Sequence, residues 1–240
     1  MKRNVIILTS GLAGSSVLTG LIASAGYWAG NASFKKHDYD THENQELIAL
    51  NLRILQEAQL ESKHGSAYLP EEINGFVTRM QGIDPAPYRD FVEECNRHQP
   101  WIWKDPRLSL TIRYWWQFLD SAKVRFLLVR RDYQQSWVSQ TIRRQISTPH
   151  FHRKYESGIA NTILQFFWDN NLTYFDVVYE DLLLYPEETI GKLNAYLGSA
   201  ISMENLTKIY RGALYRKPRG WRDSLKANLI YMWNYSERIR

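Results

Sequence analysis

The residues best suited to chemistry follow a short apolar run, Val124–Val129. Arg131 comes two positions after that run, and Ser139 lies eight positions further along a polar, helix-compatible segment. A short, partly β-branched apolar run predicts a strand that is buried on both faces of a sheet. Ligands of open α/β sheets bind at the carboxyl ends of such strands. A permanent guanidinium charge with a hydroxyl two helical turns away therefore predicts a phosphate site.

A second anion site is predicted near the N-terminus. Asn4–Thr9 has the pattern of a strand, Ser10–Gly14 that of a turn, and Ser15–Ala25 that of a helix. Such a turn directs backbone N–H groups and the positive end of the helix towards an anion. The turn lacks the Lys-[Ser/Thr] ending of nucleoside triphosphatases and the GxGxxG spacing of dinucleotide sites, and an ordinary helix start is the alternative. The candidate ligands here are Gly11, Gly14, Ser15 and Ser16.

Two further basic segments are candidates for binding anions. Lys104 ends a predicted strand, Trp101–Lys104, and is followed by a rigid Asp-Pro turn, although a solvated surface turn is the alternative. Arg216 and Lys217 open a basic loop that reaches Trp221 and contains a proline and a glycine. A solvated run of charge is the alternative for that loop.

The length and composition favour one globular domain over residues 1–240. The chain is 44% hydrophobic and has no low-complexity tract, Gly/Ser linker or internal repeat. Its net charge of +5 mildly favours anionic ligands, but no basic tail or zinc-finger spacing indicates nucleic acid. Cys95 is the only cysteine, so an intrachain disulfide is impossible. The six histidines show no zinc-type spacing, and no metal is expected.

The N-terminal segment has two interpretations. Its basic start, apolar middle and small residues near Ala23–Ala25 are similar to a secretory signal. The strand and turn over Asn4–Gly14 support the other interpretation, since cleavage would remove them. We therefore expect the segment to be retained in a cytoplasmic protein, and it is too interrupted by Gly, Ser and Thr to span a membrane.

The remaining pattern alternates strands with helices, which indicates a parallel α/β sheet. The predicted strands after the N-terminal one are Trp101–Lys104, Val124–Val129 and Tyr174–Val178. The predicted helices after the N-terminal one are Glu43–Gln59, Glu71–Gln81, Tyr88–Arg97, Arg113–Leu119, Tyr133–Gln145, Ser157–Asn170, Pro186–Leu197, Met203–Tyr210 and Arg222–Glu237.

Several of these segments, in this order, resemble the sequence motifs of the sulfotransferases that use 3′-phosphoadenylyl sulfate. The motifs are most similar to those of bacterial carbohydrate-type members. The resemblance covers most of the chain. The matching segments are Leu12–Ser16, Glu43-Asn44, Trp103–Leu108, Arg131–Ser139, Val178–Leu182 and Arg216–Trp221. It implies a P-loop-like three-layer α/β fold, with a central, mostly parallel sheet flanked by helices.

The resemblance also implies a role for each candidate residue. The first loop would hold the 5′-phosphosulfate, Arg131 and Ser139 the 3′-phosphate, and Arg216 and Lys217 would close over the nucleotide. Lys104 would stabilise charge on the transferring group. Glu43 is the favoured general base for a hydroxyl-bearing acceptor such as a carbohydrate, ahead of Asp105 and His42.

Two positions depart from the family's pattern. Tyr133 replaces a proline, and Leu12 stands where the family has the arginine or lysine of the phosphosulfate loop. Lys104 is the best substitute for that cation, ahead of Lys35 and Lys36. The departure leaves a non-catalytic nucleotide-binding homologue as the alternative function, while an unusual P-loop kinase is disfavoured because the loop lysine is missing. Acceptor identity and oligomeric state stay open.

Overall fold

A four-stranded parallel sheet forms the centre of the molecule. The computed structural model describes residues 2–11, 13–35, 40–60, 75–76, 78–210 and 220–234. The strand order is β4-β1-β5-β6, and each neighbouring pair is parallel. The strands are β1 (Asn4–Thr9), β4 (Ile102–Lys104), β5 (Val124–Arg130) and β6 (Tyr174–Val178). This architecture confirms the predicted α/β fold with a central parallel sheet flanked by helices.

Helices cover both faces of this sheet. In chain order they are α1 (Ser15–Ala23), α2 (Gln45–Glu57), α3 (Ala86–Arg97), α4 (Leu108–Trp115), α5 (Tyr133–Ile142), α6 (Pro149–Asp169), α7 (Tyr179–Leu184), α8 (Pro186–Leu197), α9 (Met203–Tyr210) and α10 (Trp221–Trp233). Short 3₁₀ turns lie at Met80–Gly82, Trp116–Phe118 and Ser121–Lys123. Within the described ranges, none of these helices combines the length and apolar character needed to cross a bilayer.

Strand β1 separates two hydrophobic cores. Ile6 and Leu8 point to one side and pack with residues of α2, α3, α4 and α6. Val5 and Ile7 point to the other side and pack with residues of α1, α8 and α9. Because successive side chains of a strand alternate between its faces, a strand buried on both sides is apolar throughout.

Several elements differ from the sequence-based predictions: α4 begins at Leu108 rather than at Arg113, α7 was not predicted as a helix, and the start of α6 differs as well. The sequence predicts that Thr148-Pro149 breaks the helix and that the next helix begins at Ser157. Instead, α6 begins at Pro149, and the Thr148 hydroxyl caps it by accepting from the Phe151 N–H at 3.1 Å. Proline fits the first turn of a helix because its missing N–H would have no partner there.

An antiparallel hairpin was not predicted. Its strands are β2 (Ser33–Lys35) and β3 (Asp40–Asn44). Residues 43 and 44, which the pattern assigned to a helix, end β3, and the Asn44 side chain caps α2 by accepting from the Glu46 N–H at 3.0 Å. The hairpin thereby carries Glu43 to the sheet.

A buried polar network anchors the turn after β4. Asp105 is fully buried, and its carboxylate accepts from the Asn51 amide at 2.9 Å and from the Arg107 backbone N–H at 3.0 Å. The Asn51 oxygen in turn accepts from the Thr111 hydroxyl and the Trp115 indole. Since buried polar groups without partners are costly, this network holds the turn in one conformation next to Lys104.

Candidate functional site

The candidate residues meet at one edge of the sheet. Since all four central strands are parallel, their carboxyl ends lie together, at Thr9, Lys104, Arg130 and Val178. The register places Ile7 beside Lys104, Thr9 beside Val129 and Arg130 beside Val178. The turns that follow these strands therefore begin side by side, as expected for ligand sites of open α/β sheets.

The turn after β1 has a conformation that favours glycine. Gly11 and Gly14 have φ angles of 95° and 77°, in the left-handed region. Gly14 is the N-cap of α1 and has no side chain that could satisfy the first N–H groups of the helix. Ser15 is buried and Ser16 is half-buried at this helix start. Leu12 lies outside the described residues.

Lys104 is buried at this edge with two described partners. Its side chain is 4% exposed, and its ammonium group contacts the Glu43 carboxylate and donates to the Ser16 hydroxyl at 3.3 Å. These three predicted site residues thus lie together at this edge, although Lys104 and Glu43 are 61 positions apart in the sequence. A buried ammonium needs such a partner because desolvation disfavours its charge.

The other two candidate general bases, Asp105 and His42, differ in whether their side chains are free to accept a proton. Both Asp105 oxygens are occupied by its internal hydrogen bonds, and burial raises the pKa of this carboxyl group. Asp105 is thus an anchor of the turn. The His42 ring is partly exposed and packs against Gly20, where an added Cβ would lie 2.7 Å from Nε2. Burial lowers the pKa of His42, with the nearby Lys104 charge adding to the effect, so a neutral imidazole is favoured there.

Arg131 is held by residues of the segment after β6. Its Nε donates to the Glu180 carboxylate at 3.3 Å, and its guanidinium lies 5.2 Å from the centre of the Tyr179 ring. Glu180 also accepts from the Asp132 backbone N–H at 3.1 Å. The Tyr179 ring packs directly against Gly14. This segment thus joins the predicted 3′-phosphate arginine to the loop after β1.

Ser139 lies within the described residues, whereas the basic loop at Arg216 and Lys217 does not. Ser139 lies buried on α5, two turns beyond the start of the helix near Arg131. One turn earlier, the buried Ser136 hydroxyl donates to the Glu156 carboxyl group at 3.3 Å.

Sequence reasoning missed Glu156. This residue lies on α6, and its carboxyl group contacts the hydroxyls of Ser10 and Ser136. Burial raises the pKa of Glu156 to about 7, although both hydroxyls and Arg131 oppose the shift. No local pattern indicated this role, because Glu156 is 146 residues from Ser10 and lies in the first half of an ordinary helix.

Comparison with known proteins supports the fold. The sequence matches no family model and no curated protein. The solved sulfotransferase domain from the curacin biosynthetic pathway superposes with a TM-score of 0.52 at 13% identity, covering 93% of this chain and 82% of that one. This chain has the sulfotransferase fold.

Two other solved structures were also matched. The sulfotransferase domain of the Synechococcus PCC 7002 olefin synthase gives a TM-score of 0.48 at 15% identity, covering 98% of this chain and 97% of that one. Sulfotransferase STF9 from Mycobacterium avium gives 0.48 at 12% identity, covering 98% and 76%. Likeness to the carbohydrate-type members stays a prediction.

Gly14 offers a test of the loop's geometry. An added Cβ would lie 2.1 Å from the Tyr179 ring on a backbone with positive φ, so Gly14→Ala should lower the free energy of unfolding by about 2 kcal/mol or more. Gly191→Ala is the matched control: it lies within α8 with open space around it, and alanine there should stabilise by about 0.5–1 kcal/mol. Urea denaturation measures both. Equal stability of the two variants would contradict the described approach of Tyr179 to the loop.

Proposed function

We propose that this protein transfers a sulfuryl group from 3′-phosphoadenylyl sulfate to a hydroxyl group of an acceptor. The observation that carries the proposal is the buried Lys104, which contacts Glu43 and Ser16 at the start of α1. On a sulfotransferase fold, this arrangement places a cation, a carboxylate and a helix N-terminus at one point of the sheet edge. Those are the groups that a transfer between two oxygens requires.

The donor would be held by two halves of the site. In the first, the backbone and hydroxyls of the loop after β1 would bind the 5′-phosphosulfate through the turn at Gly11 and Gly14 and through Ser15 and Ser16. In the second, Arg131 and Ser139 would bind the 3′-phosphate. We also assign Arg216 and Lys217 to closure over the nucleotide, as the resemblance implies.

The reaction needs one proton acceptor and stabilisation of oxygen charge. The acceptor oxygen would form a bond to sulfur as the bond from sulfur to the phosphate oxygen breaks, and the bonding electrons would remain on that phosphate. Glu43 would accept the hydroxyl proton. The Lys104 ammonium has three N–H groups, of which Glu43 and Ser16 occupy two, so the third can serve the oxygens on which charge develops.

A non-catalytic nucleotide-binding homologue is the second candidate. The observation that favours it is Leu12, which replaces the loop cation of the family. In that case Lys104 would only neutralise Glu43, and the protein would bind donor and product without transferring sulfate. The acceptor is proposed only as a hydroxyl-bearing molecule, with carbohydrates as the first class to examine.

The proposed 3′-phosphate contact of Arg131 can be tested with its sequence neighbour Arg130 as the control. Arg131→Ala should weaken binding of adenosine 3′,5′-bisphosphate at least about tenfold, because a charge-assisted hydrogen bond contributes about 1.5–3 kcal/mol. Binding of adenosine 5′-monophosphate should change little. Arg130→Ala is the matched control, since Arg130 pairs with Asp176 on the exposed side of the sheet edge. Calorimetry that gave the parent equal affinities for both nucleotides would refute the 3′-phosphate assignment.

Lys104 should matter for transfer more than for binding. Lys104→Ala should lower the single-turnover rate about a hundredfold to a thousandfold, since its target charge develops during transfer. The measurement uses radiolabelled donor with an extract of source cells as the acceptor pool, and nucleotide affinity checks that the site is intact. Lys123→Ala, at an exposed lysine paired with Asp120, serves as control. A parent that binds donor tightly but labels no acceptor would favour the binding homologue.

Two variants distinguish Glu43 from His42 as the general base. Glu43→Gln should reduce the transfer rate about a hundredfold or more, as loss of a positioned base does. His42→Gln should reduce it far less, because in this proposal the imidazole does not accept the proton. The same single-turnover assay compares them. A larger loss in His42→Gln than in Glu43→Gln would transfer the role to His42.

A further inference from the structure

Glu156 connects the two halves of the candidate anion site. Its carboxyl group contacts the Ser10 hydroxyl, at the end of β1, and accepts from the Ser136 hydroxyl, on the helix that follows Arg131, at 3.3 Å. The Glu156 side chain is 14% exposed, Ser136 is fully buried and Ser10 is half-buried. Of the two serines, only Ser10 lies in the turn that leads to the predicted phosphosulfate loop.

The groups around Glu156 act on its pKa in opposite directions. Arg131 favours the ionised carboxylate, but Arg131 is itself paired with Glu180. His152, one turn earlier on α6, lies 3.8 Å away, and burial lowers the pKa of His152 to about 4, so its ring is neutral near pH 7. The Tyr155 hydroxyl donates to the Ser10 carbonyl at 3.2 Å. Burial then raises the pKa of Glu156 to about 7.

The protonation state of Glu156 decides what the Ser10 hydroxyl can do. An ionised carboxylate only accepts, so both serine hydroxyls must donate to it. A protonated carboxyl group has one O–H of its own. If that O–H donates to Ser10, the hydrogen of the Ser10 hydroxyl is released and can donate to an anion, while Ser136 continues to donate to the other oxygen.

We propose that Glu156 is a positioning residue that sets the Ser10 hydroxyl for anion binding, and that its carboxyl group is protonated when the anion is bound. The proposal rests on the proposed function for the identity of the nucleotide. When Glu156 is ionised beforehand, binding takes up one proton from solvent. A bound anion also opposes a nearby carboxylate and neutralises Arg131, and both effects favour the protonated form.

The proposal gives binding a definite pH dependence. If only the protonated form is competent, the apparent dissociation constant equals the intrinsic one divided by the protonated fraction. With a pKa of about 7 for Glu156, that fraction falls about tenfold between pH 6 and pH 8. Affinity is thus retained below pH 7 and lost as the pH rises above it.

The decisive variant is Glu156→Gln, whose amide N–H donates to Ser10 as the protonated acid would, at any pH. The probe is adenosine 3′,5′-bisphosphate, measured by calorimetry at pH 6 and pH 8. The ratio of the two dissociation constants should be about tenfold larger for the parent than for Glu156→Gln, and the phosphates' own titration cancels in this comparison. Glu188→Gln, at an exposed glutamate of α8, should keep the parent's ratio.

Equal pH profiles for the parent and Glu156→Gln would overturn the proposal. Loss of nucleotide binding at both pH values, in a Glu156→Gln protein that still unfolds cooperatively, would overturn it too. Ser10→Ala, which removes the hydroxyl that Glu156 sets, should weaken binding and abolish the excess pH dependence. A Ser10→Ala protein with the parent's affinity and pH profile would also refute it.

A second measurement does not depend on the nucleotide. Infrared difference spectra between the parent and Glu156→Gln report the carboxylic acid C=O band of Glu156. The band should be present at pH 6, weaken at pH 8 and return at pH 8 when inorganic sulfate is added. If the parent does not bind the bisphosphate, the proposed function fails but this spectrum still decides the role of Glu156. A band that does not return with sulfate overturns the role.

Discussion

The parallel pairing of β1 between β4 and β5 is the constraint on which the site depends. Val5 to Leu8 are fully buried, with a hydrophobic core against each face, so no charged side chain can be accommodated along the strand. Polar chemistry is possible only where the strand ends. Parallel pairing then brings the carboxyl ends of all four strands to one edge of the sheet, so the segments that follow the strands begin next to one another.

Buried charge at that edge is balanced within the protein. Lys104 contacts Glu43, Arg131 donates to Glu180, and Arg107 donates to Asp105. Each cation is thereby held in place without any ligand, although removing one partner of such a pair is costly. An arriving anion meets donors whose positions are already set, which limits the reorganisation that transfer would require. The ion pairs within the protein thus offset the electrostatic cost of placing several charges at this edge before any ligand binds.

The pattern of the sequence predicted most local structure because local structure depends on near neighbours. The bounds of β1, β6, α8 and α9 agree with the predictions, since apolar alternation, flanking glycines and helical spacing all lie within each segment. Pro149 misled because a proline breaks one helix and begins the next with equal ease. The β2–β3 hairpin was missed because its strands are short and polar, and the Glu43-Asn44 pair looked like a helix start.

The sequence by itself determined the residue types of the site and the strand ends at which Lys104 and Arg131 stand. Only the tertiary structure decided their partners. Glu43 meets Lys104 across 61 positions, Glu180 meets Arg131 across 49, and Glu156 meets Ser10 across 146. Periodicity reports which face of an element is buried, but it carries no information on strand order. The pairing of charges across the sheet edge depends on that order and on the helix that packs beside each strand, and it is decided when the cores on the two faces of the sheet form.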